Sequence, residues 1–345
     1  MNVLILSCGT GGGHNSAARA VEEEMKRQGH SVTLMNPYNL RGEKLSRRVD
    51  NAYISIAQLS PRGFGAIYAI GNAYRRLPWR SPVYFANSRP AEALEDYLCA
   101  HKTDVIVMTH LYPAEMLTYL RNHGTPVPKT IFVATDYTCI PFTEECELDA
   151  YVIPSPMLTA EFVGRGIPEE KIYPFGIPVS SAFRQDISQA DAKEQLGLAP
   201  GQRHVLVSGG IIGAGNLERA LTLLTGLTQG TNWHVIAVCG NNDSVRRQLE
   251  KKFTGRATLL GSTDKMALYL RACDLYLTKP GGLSTTEAAV ARVPLALLPP
   301  IPGCESRNLK FFTETGMAIS APLSPAALTQ ALALPGNPEA LAHMR

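Results

Sequence analysis

The feature that most constrains the fold is a pattern that starts twice. Residues 2–20, "NVLILSCGTGGGHNSAARA", run from an apolar strand-like stretch through a glycine loop into an amphipathic helix. From His204 the same order returns: "HVLVSGG", then "GGIIGAG", then "LERALTLLTGL", followed by "WHVIAVCG" and a helix around "SVRRQLEKKF". Between the starts lie "SVTLMN", "DVIVMT", "TIFVAT" and "AYVIP", and after the second come "ATLLG", "DLYLTK" and "PLALLP". Short continuous apolar strands alternating with amphipathic helices mark parallel sheets buried on both faces. The chain of 345 residues is too long for one ordinary core. The reading is α/β, two Rossmann-like doubly wound domains, 1–178 and 179–345. The linker falls near "FGIPVSSAFRQD", residues 175–186, where Gly176 and Pro178 interrupt the pattern. Ligands of open α/β sheets bind beyond the carboxyl ends of the strands, so two such domains facing each other make a cleft.

A net charge of +3 gives no case for nucleic acid, yet the charge is uneven. Nine Lys and Arg between Arg41 and Arg89 face only Glu43 and Asp50. Within that segment, "LSPRGFGAIYAIGNAYRRLPWRSPVYFAN" interleaves Arg75, Arg76 and Arg80 with Trp79 and other rings. Two readings stand: a helical insertion packed on the sheet, or a contact with an anionic membrane surface, where rings sit at the headgroup boundary and cations meet lipid charge. No apolar run has the length of a membrane span, so the expected membrane contact is peripheral. None of the seven cysteines forms a CxxC pair, and they read as buried, reduced thiols of a cytoplasmic protein.

The opening glycines, Gly9, Gly11, Gly12 and Gly13, do not complete a dinucleotide fingerprint. The third glycine of that motif is His14 here, and the second strand ends on Asn36 instead of an acidic residue. No GK[ST] follows, which excludes a P-loop. A histidine at the carboxyl end of a first strand, where a helix points its positive end, is placed for proton transfer. His110 ends its strand in the same way. Asp136, just after "TIFVAT", reads either as a turn cap or as a group orienting His14 or the acceptor.

The most informative motif is "LTKPGGLSTTEAAVARVPLALLPPIPGCESRN", residues 277–308. A strand end, the turn glycines Gly281 and Gly282, then Ser284, Thr285 and Thr286 opening a helix with Glu287 suit a diphosphate beside a ribose. A capping box explains the Ser, Thr and Glu but not the glycines.

Together "GTGGGHNSAARA", "TDY", "FGIPV", "KPGGLSTTEA" and "PIPGCESRN" resemble GT-B glycosyltransferases of the branch containing monogalactosyldiacylglycerol synthases and bacterial diacylglycerol glucosyltransferases. A more distant similarity is to the enzyme that adds N-acetylglucosamine to lipid I. The resemblance implies an inverting transfer of glucose or galactose from UDP-glucose or UDP-galactose to a lipid such as 1,2-diacylglycerol. It implies His14 as the base, with Gly12 and Gly13 beside the acceptor. It places Gly209 and Gly210 along the diphosphate, Thr263 and Met266 at the uracil, Leu283 and Ser284 at phosphate, and Glu287 at the ribose. Glu305 and Asn308 then bind sugar hydroxyls, although Cys304 stands where the family usually has glutamine. No cofactor and no metal are expected, because a helix dipole and hydroxyls offset leaving-group charge. The expected location is the inner face of the cell membrane. Two other readings of the same motifs are a UDP-sugar 2-epimerase and a non-catalytic nucleotide-sugar-binding membrane protein. GT-B chains usually continue through a helix that crosses back to the first domain, so a chain ending at "PEALAHMR" is expected to be short or truncated.

Overall fold

A computed structural model describes the chain except residues 10, 11, 50, 52–60, 210–215, 242 and 345. It divides into two units. One comprises Met1–Ser180 with Ile301–Cys304, the other Ser181–Pro300 with Glu305–Arg345.

The first unit is built on a parallel six-stranded sheet ordered β2-β1-β3-β4-β5-β6. Its strands are β1 Asn2–Leu6, β2 Ser31–Met35, β3 Val105–Met108, β4 Lys129–Val133, β5 Ala150–Val152 and β6 Ile172–Tyr173. Val3, Ile5, Val107 and Val133 pack with Ala18 of the first helix, α1 Gly12–Arg27. Central β1 is apolar on both faces because helices cover both; β2, at the sheet edge, keeps part of its surface in water. Helix α1 stops as its sequence requires. Gly29 takes φ +82°, its N–H bonds Lys26 O at 2.9 Å, and His30 N bonds Met25 O at 3.1 Å, the paired bonds of a Schellman turn. Three further helices matter here: α2 Pro61–Tyr74, α3 Pro82–Ala100 and α4 Leu111–Asn122. Helix α3 is capped by Ser81, whose hydroxyl accepts from Tyr84 N at 3.1 Å ahead of Pro82.

The second unit repeats the plan with the order β12-β11-β10-β7-β8-β9. Its strands are β7 Arg203–Ser208, β8 Trp233–Val238, β9 Ala257–Leu260, β10 Leu275–Thr278, β11 Leu295–Leu297 and β12 Ile319–Ser320. Its helices include α5 Asn216–Leu227, α6 Asp243–Phe253, α7 Met266–Ala272, α8 Gly282–Ala291 and α9 Cys304–Glu314. Val205, Val207, Leu221, Leu224, Val235 and Phe253 anchor its core. β6 and β12 are two-residue edge strands, too short to carry a periodic signal.

Strand order fixes where each site lies. In the first unit the chain steps from β1 outward to β2 and then crosses to β3 on the other side of β1. In the second it runs β7, β8, β9 and then crosses to β10 beside β7. The crevice of such a sheet opens at the carboxyl ends of the two strands flanking the reversal. Those ends carry His14 and Thr109 in one unit, and Gly209 and Lys279 in the other. Among the described residues no helix is long and apolar enough to cross a membrane.

Candidate active and donor sites

His14 lies in the first turn of α1 and Thr109 just past β3, and the two meet at the reversal. His14 Nδ1 is 2.7 Å from the Thr109 carbonyl and 2.8 Å from Thr135 Oγ1 beyond β4. A carbonyl only accepts, so Nδ1 carries the ring hydrogen and Nε2 is left unprotonated. Burial lowers the His14 pKa below its ordinary value, while the nearby Asp136 carboxylate and the Thr109 bond oppose that shift. The ring is therefore a neutral base at pH 7. His110 packs edge-on against it, with centroids 4.6 Å apart, and caps α4 by accepting from Tyr112 N at 3.2 Å. Burial and the neighbouring His14 hold His110 well below the usual histidine range. His14, Thr109, His110, Thr135 and Asp136 line one cavity of about 180 Å³, with Cys304 also in its wall.

In the second unit β10 ends at Thr278 and α8 begins at Gly282 with Gly281 as its N-cap. Its N-cap is a glycine and makes no side-chain cap, so among the described residues no cap covers the first N–H groups, which suit an anion. Thr285 and Thr286 turn their hydroxyls inward, onto Gly281 O and Gly282 O. Glu287, one turn in, has its pKa raised to about 8 by burial. Lys279 Nζ lies 2.5 Å from Glu305 Oε1, and Asn308 Nδ2 donates to Pro280 O at 3.0 Å.

Residues 14–179 match the family model described as monogalactosyldiacylglycerol (MGDG) synthase. A processive diacylglycerol beta-glucosyltransferase of Bacillus pumilus is 25% identical over 322 residues, covering 92% of this chain and 82% of that protein. The enzyme of the same name from Staphylococcus carnosus is 30% identical over 256 residues, 73% of this chain and 64% of that protein. The first half of the chain is thus similar to MGDG synthases, and the chain as a whole to diacylglycerol beta-glucosyltransferases. Solved structures agree on the fold. MurG of Acinetobacter baumannii superposes with a TM-score of 0.61 at 17% identity over 100% of this chain and 93% of its own. The spinosyn rhamnosyltransferase SpnG, complexed with thymidine diphosphate, gives 0.65 at 14% identity over 100% and 94%. The fold class is GT-B.

The expected site residues separate into groups. Gly12 and Gly13 open α1 immediately before His14, and Asp136 lies in the same cavity. Gly281, Gly282, Leu283, Ser284 and Glu287 form the turn and first turns of α8, with Gly209 just past β7. Thr263 and Met266 lie at the approach to α7, where the Thr263 hydroxyl accepts from Lys265 N at 3.1 Å. Gly11 and Gly210 lie outside the described residues.

Four expectations change. Asn308 is 0% exposed and braces the Pro280 carbonyl, so it shapes the turn from behind and presents no surface to a sugar. Arg75, read as a cation meeting lipid, has a side chain 2% exposed, with Nε and Nη2 both 2.5 Å from the Glu144 carboxylate. Arg80 is half-buried, paired with Glu147 and the Glu145 carbonyl, and stacked 5.0 Å over Tyr84. Arg76 and Trp79 remain exposed, Trp79 at 68%, close in sequence to exposed Ile67, Ile70, Leu77 and Phe85. Finally, Cys99 is exposed and Cys304 partly so, whereas the other cysteines are buried. Thr109, Thr135 and Lys279 were not singled out from sequence. Each lies at or just past a strand end beside a residue that was, and adjacency was the available signal.

Proposed function

We propose that this chain is an inverting, metal-independent glycosyltransferase that moves a hexose from a UDP-sugar to the free hydroxyl of 1,2-diacylglycerol. The observation that carries the reading is the bond from His14 Nδ1 to the Thr109 carbonyl, which leaves Nε2 unprotonated in a cavity. Nε2 takes the acceptor proton as that oxygen bonds to the anomeric carbon. The anomeric carbon–oxygen bond to UDP breaks with its electron pair leaving on the diphosphate. The open N–H groups at the start of α8 bind that charge, which is the role a metal plays in other transferases. Glu287 accepts the ribose hydroxyls and Glu305, held by Lys279, those of the hexose. Glucose is favoured over galactose by the named activity of the B. pumilus and S. carnosus relatives. Peripheral attachment to the anionic inner face of the cell membrane is supported by exposed Trp79 and Arg76.

The test is a panel of UDP-sugars against diacylglycerol in anionic vesicles, with and without EDTA, read by product mass. A single hexosyl product at an undiminished rate in EDTA is expected. In the same assay His14→Ala should lower kcat by about 10²–10⁴-fold with UDP affinity unchanged. Altered UDP-sugar formed without any lipid points instead to epimerisation, and wild-type turnover in His14→Ala removes the base.

A further inference from the structure

We propose that the cavity beside His14 is the acceptor's own subsite, that it takes one of the two acyl chains, and that it holds only the first few carbons of that chain. This rests on the transfer reading above and adds the part of the lipid that is recognised. His14 bonds Thr109 and Thr135 and packs edge-on against the His110 ring, which gathers much of the polar lining into one patch. Asp136, Thr138 and Thr143 add polar groups, and most of the remaining wall is apolar, from Ile67, Tyr68 and Gly71 of α2 with Val83, Phe142 and Phe162. Gly71 and Phe142 meet there, since a Cβ on Gly71 would lie 3.6 Å from the Phe142 ring and 3.4 Å from Pro141. A ligand with a hydroxyl at one end and hydrocarbon a few bonds away matches that division. Ile67 both lines the cavity and is 55% exposed, so α2 forms its doorway, and Ile70, 64% exposed, continues the apolar surface outward.

Size sets the limit. A cavity of about 180 Å³ compares with the ~150 Å³ that accommodates benzene, room for about six carbon-sized groups. With the glycerol backbone left at the polar patch, one ester group and the next three carbons fill that volume, which is about four acyl carbons of a single chain. The second chain, and the rest of the first, stay outside. Recognition is then of the neighbourhood of the hydroxyl and is indifferent to total chain length.

The experiment measures kcat/KM with UDP-glucose for short 1,2-diacylglycerols that are monomeric in water, with chains of two to six carbons. Burying one methylene per step raises kcat/KM about fourfold, and burying one on each chain about sixteenfold. The expected profile is about fourfold per step up to about four acyl carbons, then flat. Gly71→Leu fills the cavity from its α2 wall and should abolish that rise while UDP affinity and thermal unfolding stay as in wild type. Ile67→Asp, at an exposed position, should lower kcat/KM about tenfold for the four-carbon and six-carbon acceptors. A profile flat from two carbons, one rising sixteenfold per step or undiminished to six carbons, or one unchanged in both variants overturns the proposal. Failure of the wild type to glycosylate any lipid, with UDP still bound, overturns the transfer reading itself.

Discussion

At the scale of single residues, two ionisable groups are set by burial in opposite directions. His14 is kept neutral, so activity that depends on its lone pair should hold from pH 8 to about 6.5. Below the lowered pKa it should fall by up to tenfold per unit. A pH profile of kcat/KM for wild type and Thr135→Val checks this. Without the hydroxyl 2.8 Å from Nδ1 the ring is less firmly held, and kcat should drop several-fold while KM for the donor is unchanged. Glu287 is raised to about 8, so without nucleotide it is largely protonated at pH 7. Ribose hydroxyls donate to the carboxylate form, hence binding expels a proton and UDP affinity should tighten as pH rises towards 8, then level. Glu287→Gln should remove that component of the pH dependence, and calorimetry of the two proteins side by side isolates it from the titration of UDP phosphate. His14 and Glu287 were legible from sequence because each follows turn glycines at a strand end. Thr109 and Thr135 were not, since threonine at the end of a strand reads as ordinary β-structure until a partner is seen.

At the scale of elements, the segment carrying α2 shows what linear charge patterns conceal. Its basic and aromatic composition was plain, but which cations face inward was not, because Glu144, the partner of Arg75, lies 69 positions away. Removing one member of a buried pair strands the other, so Arg75→Met should destabilise the protein by about 3–5 kcal/mol, measurable by urea unfolding. Arg76 has the opposite character. Arg76→Gln should leave stability within about 0.5 kcal/mol while weakening binding to anionic vesicles about fivefold, since each basic group near such a surface contributes about 1 kcal/mol. Trp79 fluorescence, followed in a Trp233→Phe background, reports that binding as a blue shift. No shift with vesicles of any anionic content would move the membrane contact elsewhere.

At the scale of the whole molecule, the same sheet reversal occurs twice, and each copy presents different chemistry at its crevice. The repeat was legible because continuous apolar strands and glycine turns are local signals; the two-residue edge strands and the pairing across each reversal are products of packing. Hydrogen exchange should separate the copies: UDP should protect the amides after β7 and at the start of α8 and leave those after β1 and β3 unchanged. Residues 301–304 have a consequence for how such a protein is divided. They pack with the first unit although the chain before and after them belongs to the second. A Cβ on Gly65 of α2 would stand 2.6 Å from Pro302 Cβ, so the two segments are fitted to each other. The halves are therefore not cassettes. A chimera joined only near residue 180 would inherit a foreign four-residue wall against α2, and grafting a different second unit onto this first unit requires keeping Ile301–Cys304 with it.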